Sequence, residues 1–581
     1  MWKPLRTEGD RGLRLVLAGV ACLASMFAPL SSSVPAERPG ALSYELRPVM
    51  EDGLLSGLDV TLNLRADRSG RTVIDLPDRF GGVEGHWRYL SQLRVDNGAI
   101  ETSSPARRII RSAPLSNLRI RYRVKGAYEK EPNSNDGNLY DGAVVRPTWM
   151  EALGELVLVT PEGSSSRPAM VRWIGWPSDW KTVSSASDGT ATLEDVDGSI
   201  LLAGRDLSVV TRPIAGGLLK VAQKGRFAWD EDRYADMLAR VVTAQRSFWH
   251  DASGDYTVAL VQLAPVPWIS SSGGTARRHG FVQYAAPDTE QSSMLRTIAH
   301  EHIHNWIPTS LGRMPERQEA ALFWFSEGLT EFYTARTLLR AGIWGPHEFV
   351  DDLNRTLAAV ATSADRNIPN ATIARHFWDD PSVEQIAYDR GHLFAQLIDW
   401  KLSVSSDHGL DRAIFDMKAR HARASASRKP DVLQNLIQAL ASRNFDVRPY
   451  LTRYIDHGAS IALPADLFRD CATVRDVRLP SFDLGFDPEA SAKDGRFSGV
   501  RADGAAYAAG LRNGMERLAR LSGRPGDSRV QLAYRVKDAS GERVISWFPR
   551  GSGGSTVQEV ELSPMTDPDQ VDRCSRLMSG R

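Results

Sequence analysis

Two changes of hydrophobic period along the chain limit what it can fold into. From about residue 41 to 215, apolar and polar residues alternate, as in 58–64 and 118–124, and a period of two is typical of half-buried strands. Near Asp230 the apolar spacing becomes three and four, the pattern of an amphipathic helix, and after Cys471 strand-like runs return. Because one hydrophobic core does not extend over 581 residues, we predict a multidomain α+β protein.

The same pattern gives the expected bounds of the modules. We predict a β-rich N-terminal domain over 41–215, a mainly helical domain over 226–465 and a small mixed C-terminal domain over 471–575. Apolar runs at 156–159 and 482–486 are further predicted strands in the first and last of these domains.

The first 36 residues differ from the rest of the chain. Basic residues precede an apolar run at 15–30 and small residues follow it, which predicts a secretory signal peptide over 1–36. An uncleaved membrane anchor and a lipid attached to Cys22 are the alternatives, and only these would attach the protein to a membrane. We therefore expect an exported protein.

Cys471 and Cys574 are the only cysteines outside this leader. An exported location permits them to form a disulfide, and two free buried thiols are the other interpretation. Neither has the close Cys-x-x-Cys spacing of a thiolate zinc site, so a metal has to be sought among other side chains.

The charge balance argues against a nucleic-acid partner. Lysine plus arginine and aspartate plus glutamate number 71 each, and the sequence has no long basic run. A nucleic-acid-binding domain normally carries a clear basic excess.

The string Thr-Ile-Ala-His-Glu-His-Ile-His, which ends at His304, contains H-E-x-x-H in a helix-compatible stretch. Asp288 and Thr289 are the candidate caps of this helix. Residues four apart share a helical face, so the imidazoles of His300 and His304 can reach one zinc ion while Glu301 lies beside it as a base.

A third ligand follows in the apolar string Trp-Phe-Ser-Glu-Gly. Its carboxylate, Glu327, would be costly to bury unless a cation held it. Glu331, one helical turn later, is either an acceptor for a ligand imidazole N–H or a solvated surface carboxylate. His302 points to the opposite side of its helix and is predicted not to bind the metal.

These motifs resemble the gluzincin metallopeptidases, and most closely the glycyl aminopeptidase family with a C-terminal PDZ domain. The resemblance rests on H-E-x-x-H, the downstream Ser-Glu-Gly and a later Tyr-x-x-Gly that begins at Tyr388. The resemblance implies a thermolysin-like helical catalytic domain, a PDZ-like C-terminal domain, Zn²⁺ as cofactor, a peptide or protein substrate and a bacterial periplasmic location.

The resemblance also implies a mechanism. Water bound to zinc attacks the peptide carbonyl, Glu301 takes its proton as general base, and Tyr388 donates a hydrogen bond to the oxyanion. A packed core tyrosine is the other interpretation of Tyr388.

One element departs from the family. Family aminopeptidases hold the substrate's amino group with a glutamate after two glycines, and that glutamate is missing after Gly273 and Gly274. Arg277 would repel an ammonium group but could bind a substrate carboxylate or carbonyl, so the two glycines and Arg277 are candidate substrate contacts. A solvated loop is the other interpretation of the arginine, and the choice between aminopeptidase and endopeptidase stays open.

The PDZ resemblance rests on the string Asp-Leu-Gly-Phe at 483–486 and the helix-compatible stretch at 505–511. A PDZ domain adds a peptide as an extra strand. Two rival functions follow: an epoxide-opening hydrolase of the wider clan, and a catalytically silent envelope scaffold that binds peptides through the PDZ-like domain. The presence of both Glu301 and Tyr388 argues against the scaffold, because a structural zinc site needs neither.

Overall fold

The computed structural model describes residues 41–80, 83–133, 142–186, 191–251, 254–265, 272–277, 279–315, 319–405, 409–425, 428–523 and 526–581. The predicted leader, 1–36, lies outside the described residues. None of the helices in the described part combines the length and the apolar character needed to cross a bilayer.

Sheets make up the N-terminal region. Its strands are β1 Leu42–Glu51, β2 Leu54–Arg65, β3 Arg71–Asp75, β4 Arg79–Phe80, β5 Val83–Glu84, β6 Leu90–Asp96, β7 Ala99–Ser104, β8 Arg107–Arg111, β9 Asn117–Val124, β10 Val144–Arg146, β11 Trp149–Leu153, β12 Thr160–Pro161, β13 Ala169–Trp173, β14 Lys181–Ser184 and β15 Ile200–Gly204. Two short helices, α1 Gly154–Val157 and α2 Leu193–Asp197, and a 3-10 turn, His86–Tyr89, lie between them.

These strands form three larger sheets, ordered β13-β1-β2-β9-β6, β12-β3-β8-β7 and β10-β11-β15-β14, and a small β4-β5 hairpin. The alternating runs at 58–64 and 118–124 pair antiparallel in the first sheet, with Leu58 opposite Val124. Their apolar residues are buried on one face, which confirms the β-rich region predicted from the period of two.

The strand predicted at 156–159 is wrong. Leu156 lies in helix α1 and Val159 follows it, both almost fully buried. Hydroxyl groups of two buried tyrosines bond the carbonyls of this segment, Tyr122 at 3.0 Å from Val157 and Tyr44 at 2.8 Å from Val159. A short apolar run without alternation is equally compatible with a buried strand and a buried helical turn.

The second region begins with a mixed sheet. Its strands are β16 Leu207–Ile214, β17 Gly217–Lys224, β18 Tyr256–Gln262, β19 Ser272–Arg277 and β20 Gly280–Ala285, in the order β16-β17-β18-β20-β19. β17, β18 and β20 run parallel, while β16 and β19 are antiparallel edges. The sheet extends across residue 215, the predicted end of the first domain.

Both faces of this sheet are covered. Val282 and Tyr284 belong to the core of the N-terminal region, whereas Phe281 and Ala285, which alternate with them, pack into a core with Met294 on the opposite face. That opposite core includes the buried face of α3, Glu231–Trp249, whose three-and-four spacing predicted a helix.

Helices follow the sheet. They are α4 Gln291–Ile303, α5 Phe323–Arg340, α6 Pro346–Thr362, α7 Asn370–His376, α8 Pro381–Ser405, α9 Gly409–Arg423, α10 Val432–Ala441 and α11 Arg448–Tyr450, with a 3-10 turn, Glu319–Leu322, and a π turn, Leu451–Asp456. Helix α4 starts after Glu290, whose side chain makes no capping bond, so the expected cap at Asp288 or Thr289 is wrong.

The C-terminal region contains a 3-10 turn, Arg469–Cys471, and the elements β21 Ala472–Phe482, α12 Pro488–Asp494, α13 Ala505–Ala508, β22 Glu516–Ser522, β23 Leu532–Asp538, β24 Gly541–Trp547, β25 Arg550–Leu562 and α14 Pro568–Met578. β22, β23 and β24 form a sheet with its own small core, whereas β21 and β25 pair as a ribbon. The ribbon of β21 and β25 and the helix α14 pack into the core of the helical region. A disulfide joins Cys471 to Cys574.

The strand predicted at 482–486 is wrong. β21 ends at Phe482, and the chain turns at Asp483, whose side chain accepts a hydrogen bond from the Gly485 amide at 2.9 Å, before it enters α12. Gly485 has a positive φ of 77°, which favours a turn over a strand.

Candidate metal centre

The two histidines of H-E-x-x-H lie at the C-terminal end of α4. His300 and Glu301 belong to its last turn, and His304 caps it with helical backbone angles. The imidazole rings of His300 and His304 are 5.0 Å apart and nearly perpendicular. Both rings therefore present a nitrogen on the same side of the helix.

Glu327 of α5 completes the group. Its Oε2 atom lies 3.3 Å from Nε2 of His300 and 3.3 Å from Nε2 of His304. One ligand atom from each of the three residues lies within 4.8 Å of the others. Ligands at about 2.0–2.1 Å from a tetrahedral zinc ion are separated by about 3.3 Å, so this arrangement fits zinc.

Each of the two histidines has a hydrogen-bond acceptor beside its Nδ1 atom, the ring nitrogen that faces away from Glu327. The Nδ1 atom of His300 lies 2.9 Å from Glu331, which also contacts Arg296. The Nδ1 atom of His304 lies 3.0 Å from the carbonyl oxygen of Ile307. A proton on each Nδ1 leaves each Nε2 free to bind a metal, so Glu331 lies where an acceptor for the ligand ring was predicted.

The charges of this group stabilise one another. Burial opposes charge on Glu327, but His304 and His300 outweigh it and hold the pKa of that carboxyl well below its usual range. Burial likewise opposes charge on Glu331, but Arg296 and His300 lower its pKa. Both carboxylates are therefore ionised at neutral pH and available to a cation and its ligand ring.

The pKa values of Glu301 and Tyr388 are shifted upwards, opposite to those of these two carboxylates. Burial raises the pKa of the Glu301 carboxyl, although His304 and His300 partly offset it. Burial and the negative charge of Glu327 raise the pKa of Tyr388, so its phenol stays protonated. The ring of Tyr388 lies 6.1 Å from the ring of His300. A carboxyl of raised pKa suits proton transfer, and a protonated phenol suits hydrogen-bond donation.

His302 faces away from this group. Its Nδ1 lies 2.6 Å from Oε1 of Gln245, and its ring packs edge-on against Tyr256 and Trp306. Burial lowers the pKa of His302 to about 3, so the ring is neutral. This is a core position, as the helical spacing predicted.

The side chain of Arg277 packs against the N-terminal region, and its assignment as a substrate contact stays a prediction. On β19 it shares a face with positions paired to Val282 and Tyr284, the side of the sheet that packs against the N-terminal region. Its guanidinium lies 2.7 Å from Glu155 and stacks over Phe80. The arginine therefore joins two regions of the fold.

The two glycines of β19 differ from each other. A Cβ on Gly274 would lie 2.4 Å from the ring of Phe281, so packing explains this glycine without a substrate. A Cβ on Gly273 would meet no atom of the described residues within 4 Å. Because β19 is an edge strand, Gly273 remains a candidate for contact with a substrate backbone.

Arg296 was missed in the sequence. It precedes His300 by four residues, and it contacts Glu331 and, at 3.0 Å, Asp352. The spacing of one helical turn was the available signal, but the carboxylates that it meets lie on α5 and α6 and cannot be read from local sequence.

Fold and site together define the class, which is a zinc metallopeptidase. Residues 293–380 match the family model described as M61 glycyl aminopeptidase. The resemblance to the glycyl aminopeptidase family of gluzincin peptidases is thereby confirmed. No curated protein matches the sequence significantly.

Solved structures support the fold. An aminopeptidase N family protein from Idiomarina loihiensis has a TM-score of 0.63 at 16% identity, covering 92% of this chain and 99% of its own. An M1 zinc metallopeptidase from Deinococcus radiodurans has a TM-score of 0.44 at 15% identity, covering 73% and 96%. A mutant of an M1 zinc metallopeptidase from that organism, bound to a Tyr-Ser-Ala substrate, has a TM-score of 0.42 at 16% identity, covering 73% and 95%. The TM-score of 0.63 supports a fold shared with the first of these proteins.

Proposed function

We propose that this zinc metallopeptidase hydrolyses peptide bonds with Glu301 as general base and Tyr388 as oxyanion donor. The zinc ion would be held by His300, His304 and Glu327. The observation that carries the proposal is the pair of 3.3 Å separations between the histidine Nε2 atoms and one oxygen of Glu327. Such spacing between one buried and two partly buried groups of these types matches the edge of a zinc coordination tetrahedron.

When bound, zinc would polarise the peptide carbonyl and lower the pKa of water. Glu301 would take a proton from the attacking water and later deliver it to the leaving amine, which its raised pKa favours. The hydroxyl of Tyr388 would donate a hydrogen bond to the oxyanion, and burial keeps that hydroxyl protonated. Glu331 and Arg296 would hold the ring of His300 in place.

The free edge of β19 would align the substrate. Among the described strands β19 is at an edge of its sheet, and an extended peptide can add to a strand edge through backbone hydrogen bonds. The substrate is therefore expected to bind as a strand. We also propose that the enzyme is exported to the periplasm, on the basis of the leader at 1–36, and that the C-terminal module is PDZ-like, on the basis of the string at 483–486.

The test measures zinc content and peptide hydrolysis on the same preparation of mature protein. Substrates are a mixed set of free and N-blocked peptides, and the variant is Glu301→Gln, which keeps the three ligands. We expect retained zinc and a fall in hydrolysis of at least about a hundredfold, because a general base contributes that much or more. Glu290→Gln is the matched control, because it makes the same change from carboxylate to carboxamide at an exposed residue just before α4.

The outcomes separate the rival functions. Hydrolysis that survives Glu301→Gln would refute the assigned base. Bound zinc without hydrolysis in the unsubstituted protein would favour the peptide-binding scaffold. Absence of bound zinc would refute the metal centre itself.

A further inference from the structure

A continuous line of polar contacts leads from the metal centre into helix α6. Nδ1 of His300 lies 2.9 Å from Oε1 of Glu331. The guanidinium of Arg296 contacts Oε2 of Glu331 with one terminal nitrogen, and its Nε lies 3.0 Å from Oδ1 of Asp352. These four side chains come from α4, α5 and α6. The ring of a candidate ligand is thereby linked to a carboxylate on a helix that carries none of the candidate metal ligands.

Two carboxylates fix the orientation of Arg296. A guanidinium is planar and its N–H donors point in fixed directions, so contacts on two of its sides leave it little freedom to turn. Asp352 is 2% exposed, and a charged contact away from water is stronger than one at the surface. Without the Asp352 carboxylate, Arg296 would be held by Glu331 alone, and both side chains could move together relative to the ring of His300.

Helix α6 holds Asp352 in a fixed place. The side chains of Leu353 and Leu357 belong to the core that includes Val560 of β25. Asn354 accepts a hydrogen bond from the backbone N–H of Val560 at 2.7 Å and donates one to its carbonyl oxygen at 2.9 Å. The amide of Asn354 thus occupies the edge of β25 as a neighbouring strand would, and it fixes α6 against the ribbon of β21 and β25.

The direction of the His300 ring decides whether its Nε2 atom can face a metal ion. The partner of the other ring nitrogen fixes this direction and the tautomer, and loss of such a partner typically changes metal affinity by about ten- to a hundredfold. Glu331 is that partner. It orients the ring only while its own carboxylate is held in place, and Arg296, fixed by Asp352, holds it.

We propose that Asp352 is a positioning residue of the metal centre, which acts on His300 through Arg296 and Glu331. The inference rests on the zinc site proposed above and extends it to a residue outside the candidate ligands. Helix α6 then joins the C-terminal ribbon to a metal ligand. If Asp352 only neutralised Arg296 and stabilised the fold, the zinc affinity of the folded protein would not depend on it.

A double-mutant cycle on zinc affinity distinguishes these two roles without requiring turnover. The full chain is prepared unsubstituted, as Asp352→Asn, as Glu331→Gln and as the double variant, and zinc affinity is measured by competition with a chelator. Asp351→Asn is the matched control, because Asp351 is the neighbouring residue on α6 and is exposed. Arg296→Lys is a second variant, which keeps the positive charge but loses the planar fork that contacts both carboxylates.

We expect Asp352→Asn and Arg296→Lys each to weaken zinc binding about tenfold, the lower end for an outer partner, because both act through Glu331. Asp351→Asn should leave the affinity within about twofold. The double variant should bind zinc within about threefold of Glu331→Gln alone, because the path from Asp352 to His300 is already broken. In Co²⁺-loaded protein, the visible absorption bands depend on ligand geometry and should shift in Asp352→Asn but not in Asp351→Asn.

Three results would overturn the inference. They are zinc affinities within about twofold of the unsubstituted protein in both Asp352→Asn and Arg296→Lys, a double variant in which the two losses multiply, and an equal loss in Asp351→Asn. Multiplied losses would mean that Asp352 acts on the fold as a whole and not through Glu331. Failure of the proposed peptidase function has a different signature, since the same pattern of zinc affinities would then occur in a protein that hydrolyses no peptide.

Discussion

Gly391 of α8 and Gly328 of α5 face each other where the two helices cross, and substitution of either is expected to disturb the site. A Cβ on Gly391 would lie 1.9 Å from the carbonyl oxygen of Trp324 and 2.8 Å from the Cα atom of Gly328. Gly328 follows Glu327 by one residue, and Gly391 follows Tyr388 by three residues. Helix contact at this point thus sets the distance between a metal ligand and the phenol.

The expected effect of Gly391→Ala follows from the clash. Ordinary contact begins at 3.4 Å and the new Cβ would lie at 1.9 Å, so α8 has to move by about 1.5 Å. Overpacking of a dense core costs about 1–3 kcal/mol of the free energy of unfolding, and a clash with backbone belongs at the upper end. A misplacement of about 1 Å costs roughly a hundredfold in rate, so we expect kcat to fall at least that far.

Three measurements on Gly391→Ala test this: the urea midpoint of unfolding, the zinc content and kcat for peptide hydrolysis. Zinc should be retained, because its three ligands lie on α4 and α5 and not on the displaced helix. The control is Gly553→Ala, where the nearest atom to a new Cβ is Ser481 Oγ at 3.4 Å. A Gly391→Ala protein with an unchanged urea midpoint and kcat within threefold would refute the reasoning.

Three further perturbations have expected outcomes. Glu331→Gln should weaken zinc binding by about ten- to a hundredfold, because Nδ1 of the His300 ring loses its carboxylate partner. The affinity is measured by competition with a chelator. An unchanged affinity would contradict the role of Glu331 in orienting His300. Reduction of the Cys471–Cys574 bond, which closes a loop of 103 residues, should lower the free energy of unfolding by about 4–5 kcal/mol, and equal urea midpoints with and without reductant would count against this. Burial raises the pKa of Glu151 and of Asp197 to about 7, so the folded protein holds protons that the unfolded chain releases. The stability from these two groups is complete below about pH 4 and is lost as the pH rises through about 7, and Glu151→Gln should flatten the melting temperature measured across that range.

The period of the sequence predicted whole elements better than their ends. Helix α3 and the paired strands β2 and β9 follow directly from apolar spacing, because each buries one face against a continuous core. The run at 156–159 failed because all of its residues are apolar, so spacing carried no information. β22 was missed because its string Glu-Arg-Leu-Ala-Arg-Leu-Ser is mostly exposed and offers no buried face.

The His300, His304 and Glu327 group could be predicted as a candidate metal site because its chemistry is local. Two histidines one turn apart and a carboxylate in an apolar string are each recognisable from neighbouring residues. The contact of Arg277 with Glu155 could not be predicted, because the face of a strand depends on its pairing, and pairing with β20 turns this side chain towards Glu155. The register of two paired strands is a tertiary property, and it could not be read from the residues of β19 alone.

The four glutamates around the site show that residue type alone does not determine the role of a side chain. Glu327 is paired with two ring nitrogens, Glu331 with Arg296, Glu301 is kept at raised pKa by burial, and Glu384 has no cation from the described chain. In sequence all four are glutamates in helices, and helical spacing gives only the face on which each lies. Their partners come from other helices, and the partner decides whether a glutamate is suited to bind a metal, to orient a ligand ring or to move a proton.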